Sequence, residues 1–221
     1  MPQLSDATRD LFGIKTRGKI LTTSLNCFNE DGFDRVSTAQ LAGTADVLEG
    51  TLWYHFRAKN DLVLAHFENF EARLDAHLAT EIADRPDAII ADFLEIFVIL
   101  WDFRYLLRDP LAALNDDDTV RVRLKETLQV IERSAEARIL KSAEAGYIDL
   151  GNSDARSLAV SCTLIGRYWF DYARIRYSDD THHLNLRQGC TEQMLAVLQP
   201  YFTQMAHELI ARFKAEQIGS A

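Results

Sequence analysis

Between residues 49 and 59 the chain carries side chains suited to one kind of chemistry: Glu49, Gly50, Thr51, Trp53, Tyr54, His55 and Lys59. The hydroxyls of Thr51 and Tyr54 can donate to phosphate oxygens, as can the His55 ring in either tautomer, and a lysine at 59 is a point-charge clamp for the same anion. Gly50 lets a backbone come close to a phosphate. Trp53 is large enough to press on a thymine methyl or a sugar. Glu49 has two readings: it accepts from a cytosine N4 amine, or it only repels phosphates. The ordinary alternative for Trp53 and Tyr54 is core packing. Two consecutive aromatics on one helix cannot both face inward, however, so at least one is expected to be exposed.

These residues need a scaffold that presents them together, and the flanking sequence supplies one. Ser37 and Gln40 form a Ser-x-x-Gln capping box ahead of Leu41 and Ala42, which predicts a short helix over 38–45. Ser37 and Thr38, at its start, join the DNA-facing set. Ala45, Val47, Leu52 and Phe56 supply a buried seam, and between Ala45 and Leu52 there is room only for a turn and the first turn of another helix. That is a helix-turn-helix, whose second helix enters the DNA major groove. Upstream, Ile20, Leu21, Ser24, Leu25 and Phe28 repeat at helical spacing from near Thr16, and Gly32 fits a left-handed cap. Downstream, a helix from Lys59 to about Ala83 is long enough to link this head to a body.

Thr51-Leu52-Trp53-Tyr54-His55-Phe56-x-x-Lys59-x-x-Leu62 resembles the signature of TetR-type one-component repressors, as does Ile20-Leu21-x-x-x-Leu25-x-x-Phe28-x-x-x-Gly32-Phe33. Leu100-Trp101-x-Phe103-Arg104-Tyr105-Leu106-x-Arg108-Asp109 and Tyr168-Trp169-Phe170-x-Tyr172 resemble the regulatory half of one TetR subgroup. The resemblance implies an all-α fold, a homodimer formed through the last two long helices, a near-palindromic double-stranded DNA operator and release by a small-molecule effector. Two positions depart from the family. Asp46 stands where a glycine is usual, and aspartate tolerates a left-handed backbone better than most residues. Leu48 stands where a small capping residue is usual, and it cannot accept from the free N–H groups of the second helix.

The rest of the chain reads as helices. Asp84-Arg85-Pro86-Asp87 breaks the long helix, with Asp87 as the next cap, and 88–107 is the most apolar stretch. Asn115–Asp118 caps a helix ending at Gly146, another runs from Ser153 or Asp154 to about Tyr177, and a last covers Leu186–Gln199 before Pro200 and a charged tail. The expectation is an all-α fold of about nine helices, with a DNA-binding head over 1–62 and a ligand-binding and dimerisation body over 63–221. Phe97, Trp101, Arg104 and Tyr105, with Arg167, Tyr168, Trp169 and Tyr172, are the candidate pocket residues. Arg104 and Arg167 are its polar anchors for an acidic or hydroxylated ligand, and plain core is the competing reading for the aromatics.

Net charge is −9 over 221 residues, but residues 1–62 hold seven Lys/Arg against eight Asp/Glu, so the acidity lies mostly beyond the head. Any DNA contact must depend on where a few cations sit. Cys27, Cys162 and Cys190 are far apart and fall at apolar helical positions, which predicts buried thiols and neither disulfides nor a zinc site. Asp179, Asp180, His182 and His183 read as a solvated polar loop rather than a metal site. With no phosphate-binding glycine loop and no acid/base or nucleophile constellation, no catalytic residues and no cofactor are expected. No apolar run reaches membrane length and no leader is evident, which predicts a cytoplasmic protein. The rival function is a helical ligand-binding or interaction module that has lost specific DNA binding.

Overall fold

The computed structural model describes residues 4–80, 86–108, 118–176 and 183–219. Among these there is no strand, only an isolated antiparallel bridge between Ile148 and Phe202. The all-α expectation holds. The described helices number eleven α and one 3₁₀, rather than about nine.

The helices are α1 (Asp6–Phe12), α2 (Thr16–Asp31), α3 (Thr38–Thr44), α4 (Glu49–His55), α5 (Lys59–Leu78), α6 (Pro86–Asp102), α7 (Arg104–Arg108), α8 (Asp118–Glu144), α9 (Ala155–Arg176), α10 (His183–Leu198), a 3₁₀ turn (Gln199–Tyr201) and α11 (Gln204–Gly219). Three features raise the count. The weakly patterned N-terminus forms α1, capped by the Ser5 side chain on Thr8 N–H. Pro200 sits in the 3₁₀ turn, after which the charged tail is helical. The expected single helix over 88–107 is broken at Phe103, and its beginning also differs. It starts at Pro86, a proline in the first turn needing no N–H partner, so Asp87 lies inside the helix rather than capping it. The expected cap at Asn115–Asp117, Tyr177 and the polar loop residues Asp179, Asp180 and His182 lie outside the described residues; His183 is helical.

The chain divides into two compact units, the first formed by Met1–Ala79 with Val98–Lys125 and the second by Thr80–Phe97 with Glu126–Ala221. The first unit thus reaches beyond residue 62. Its α1 packs on α2 and α5, α2 on α3, α5 and α7, and α3 on α4. Leu21, Leu25, Phe28, Leu52, Leu62, Phe70 and Phe103 are fully buried there. The α6–α7 corner is held by a residue far away in sequence. The Asn29 amide donates to the Asp102 carbonyl (2.7 Å) and accepts from Tyr105 N–H (3.0 Å), so it satisfies one carbonyl and one N–H that the break releases. Beside it the Asp102 carboxylate accepts from Thr8 Oγ1 (2.7 Å), Ser5 Oγ and Arg73 Nη1 (3.2 Å).

In the second unit, α9 packs on α10. The α9 face that is buried carries small residues, Ala155, Ala159, Cys162, Gly166 and Ala173, which lets two helix backbones approach. Asp154 caps α9 by accepting from Ser157 N–H (3.1 Å) and its hydroxyl (2.9 Å). Gly189 on α10 is set by Trp169: a Cβ there would stand 2.7 Å from the indole. All three cysteines are buried, and burial pushes the Cys162 thiol up to about 11. Among the described residues no helix is long and apolar enough to cross a membrane, and no group of His, Cys, Asp and Glu gathers to hold a metal ion.

Candidate nucleic-acid interface

A seven-residue helix such as α4 is unstable alone, because nucleation costs more than so few hydrogen bonds return. It persists here because Leu52 and Phe56 are almost fully buried under it, as the seam predicts. Ser37 caps α3 by accepting from Gln40 N–H (3.1 Å). The turn between α3 and α4 requires a positive φ at Asp46 (52°), the place where aspartate replaces the usual glycine. Its carboxylate lies 3.6 Å from Lys19 Nζ on α2, an exposed pair that adds little stability.

Leu48 is the N-cap of α4, without a side-chain hydrogen bond, and 80% exposed. Its side chain therefore neither caps the helix nor packs. Leu48→Ser is expected to raise the unfolding free energy by about 0.5–2 kcal/mol, read as a higher urea midpoint.

With Leu52 facing inward, both aromatics beside it face out: Trp53 is 39% and Tyr54 83% exposed. Tyr54 and His55 meet edge to face, with ring centroids 5.1 Å apart. Gly50 has an ordinary helical backbone, and a Cβ there would meet nothing within 4 Å. The fold has no use for a glycine at this place, and glycine costs a helix about 0.5–1 kcal/mol relative to alanine. What a bare backbone offers is close approach from outside. Gly50→Ala is expected to stabilise the protein by that amount while weakening DNA binding, checked by urea unfolding and an affinity titration on the same preparation.

Thr38 and Glu49, the first residues of α3 and α4, are joined: Thr38 Oγ1 donates to Glu49 Oε1 at 3.2 Å. The sequence pattern did not show this bond, since it depends on the angle between the two helices. Lys59, the expected phosphate clamp, is half-buried and has partners within the head. Its ammonium donates to the Phe33 carbonyl and lies 4.0 Å over the Phe33 ring. Burial lowers its pKa from the ordinary lysine value, against the pull of Asp34. Two other cations border α4. A recess of about 300 Å³ beside α4 is lined by Arg17, Arg57, Tyr54 and His55, with Asp61 and Glu68 among its walls. The Arg17 guanidinium is steadied 5.0 Å over the Phe56 ring. In the sequence Arg57 is only one of the head's seven cations, whereas Arg17, with Arg9 and Lys15, reads either as an arm that touches phosphates or as a mobile terminus.

The candidate pocket residues are placed as follows. Trp101, Arg104 and Tyr105 are buried in the first unit. Arg104 pairs with Glu30, donates to the Trp101 carbonyl (3.0 Å) and lies 4.4 Å over the Trp101 ring. The Tyr105 hydroxyl bonds His66 Nδ1 (2.7 Å). Phe97 is buried and belongs to the second unit. On α9, Tyr168 and Tyr172 are exposed, Trp169 packs 5.6 Å from Tyr172, and Arg167 holds a buried Nη1 with no hydrogen-bond partner among the described residues.

Comparison with known proteins agrees with this geometry. Residues 20–66 match the family described as bacterial regulatory proteins, tetR family, and residues 69–210 match the TetR family described as bacterial transcriptional repressor. The HTH-type transcriptional repressor NicS of Pseudomonas putida is 25% identical over 140 residues, covering 60% of this chain and 63% of NicS, less than two thirds of its length. The crystal structure of a TetR-family transcriptional regulator from Marinobacter aquaeolei is 27% identical, covers 92% of this chain and 98% of its own, and has a TM-score of 0.76. The TetR-family protein CprB from S. coelicolor, 17% identical with 91% and 96% covered and a TM-score of 0.62, shares the fold. The chain belongs to the TetR family of bacterial regulatory proteins.

Proposed function

We propose that this chain is a transcriptional repressor that binds a near-palindromic operator as a homodimer and leaves it when a small molecule binds. The observation that carries this reading is the outward face of α4. Trp53 and Tyr54 stand exposed beside a glycine the fold does not need, on a helix held rigidly by Leu52 and Phe56. Ser37, Thr38, Glu49, Gly50, Thr51, Trp53, Tyr54 and His55 form the DNA-facing set, all within the proposed head of residues 1–62. Arg17 and Arg57 supply the charge beside them, and Lys59, which also holds the Phe33 carbonyl, belongs to the same set. The protein acts on DNA in the cytoplasm and carries out no reaction of its own.

Dimerisation is supported by a stripe on α9. Leu164, Tyr168, Tyr172 and Ile175 recur at helical spacing and are all more than half exposed. A second copy of the same face would cover it, in an isologous interface. Leu164→Glu with Tyr172→Glu is expected to convert the dimer to monomers in sedimentation, with helical content unchanged. The effector's site belongs to the larger body. There Arg167, with its unsatisfied Nη1, is the anchor for an acidic or hydroxylated ligand, and Trp169 is close enough in sequence to report on it.

The test is DNA affinity as a function of salt. A phosphate-clamping head gives a log–log slope of about −0.9 per phosphate neutralised. The second reading, loss of specific DNA binding, is favoured by the carboxylate of Glu49 at the tip and by a head with net charge −1. It predicts weak affinity that is the same for all sequences.

A further inference from the structure

Glu49 is the one acidic side chain in α4, and it stands in the first turn of the helix that would meet base edges. Among the described residues no cation pairs with it. Its single partner is the Thr38 hydroxyl, which donates to Oε1 at 3.2 Å and leaves Oε2 open. The two residues lie on different helices of the motif, so the bond fixes the direction of the carboxylate relative to both. Next to it, the open space at Gly50 removes any side chain that would hold the backbone away from DNA.

An ionised carboxylate only accepts hydrogen bonds, and DNA phosphates offer it none. In the major groove guanine shows two acceptors, thymine an acceptor and a methyl, and adenine a donor beside the N7 acceptor. Cytosine alone shows an amine donor without an adjacent acceptor. We propose that Glu49, oriented by Thr38, is the specificity-determining residue of this protein and selects a cytosine in each operator half-site. The assignment rests on the DNA-binding reading above. Thr38 is a positioning residue in it: it directs Glu49 and touches no base.

The experiment is selection from a random double-stranded DNA library by the full-length protein at low salt, followed by sequencing. Both residues are on the surface of the motif, so their variants keep the core intact. The wild type enriches cytosine at one position per half-site, roughly ten-fold over the other bases. Glu49→Gln moves the preference at that position to adenine, whose N6 and N7 match a carboxamide. Thr38→Val weakens the cytosine preference several-fold, and Thr38→Ser, which keeps the hydroxyl, restores it. An unchanged preference in Glu49→Gln overturns the assignment while leaving DNA binding standing. No enrichment by the wild type overturns the DNA-binding reading and the assignment with it. A Thr38→Val protein that selects like the wild type removes Thr38 from the device.

Discussion

Asp102→Ala is expected to lower the unfolding free energy by about 3–5 kcal/mol, the usual cost of breaking a buried ion pair from one side. Asp102 is 1% exposed. Its carboxylate accepts from Arg73, both hydroxyls at the start of α1 and the Ser5 backbone N–H. It ties α1, α5 and the end of α6 into one cluster, so its loss leaves several buried donors without their acceptor. Asp10→Ala on the exposed side of α1 is the control, expected to change stability by less than about 0.5 kcal/mol. Urea unfolding followed by helix content checks both. A shift below 1 kcal/mol for Asp102→Ala would mean that the cluster does not hold the first unit together.

A pH dependence of comparable size is expected from His66. The ring is fully buried among Phe12, Phe28 and Tyr105. Nε2 lies 3.0 Å from the Leu21 carbonyl, which can only accept, so Nε2 carries the proton and Nδ1 accepts from the Tyr105 hydroxyl. Burial lowers the His66 pKa to about 3, with the Leu21 hydrogen bond opposing and Arg17 assisting. The unfolded histidine titrates near 6.5. Between these values the unfolded state binds the extra proton, so stability falls as pH drops through 6.5 and continues to fall toward 3. The slope approaches about 1.4 kcal/mol per pH unit. Unfolding at pH 7.5, 6.5 and 5.5 measures it. His66→Gln is expected to be less stable at neutral pH and to lose this slope. The same slope in the variant would show that the acid sensitivity lies elsewhere.

Local pattern decided what could be read from the sequence. The boundaries of α3 and α4, the left-handed Asp46 and Gly32, the uncapped start at Leu48 and the exposure of Trp53 and Tyr54 all follow from neighbours within four residues. Long-range partners decided what could not. The break at Phe103 depends on Asn29, and the inward turn of Lys59 depends on the Phe33 carbonyl. The engagement of Arg104 with Glu30, 74 residues apart, is of the same kind. An arginine and a lysine look alike in sequence whether they await a ligand or close a structural gap. Only their three-dimensional partners separate the two, which is why the exposed face of α4 was legible and the partners of Lys59 and Arg104 were not.

The most direct measurement is a footprint of the full-length protein on the DNA upstream of its own coding region, at low and moderate salt. A dimer with one recognition helix per subunit predicts two protected patches of inverted sequence, with centres about 34 Å apart or a multiple of that. Protection would weaken with salt and would disappear in the monomeric Leu164→Glu, Tyr172→Glu protein. No protection, or uniform protection that ignores sequence, would contradict the account.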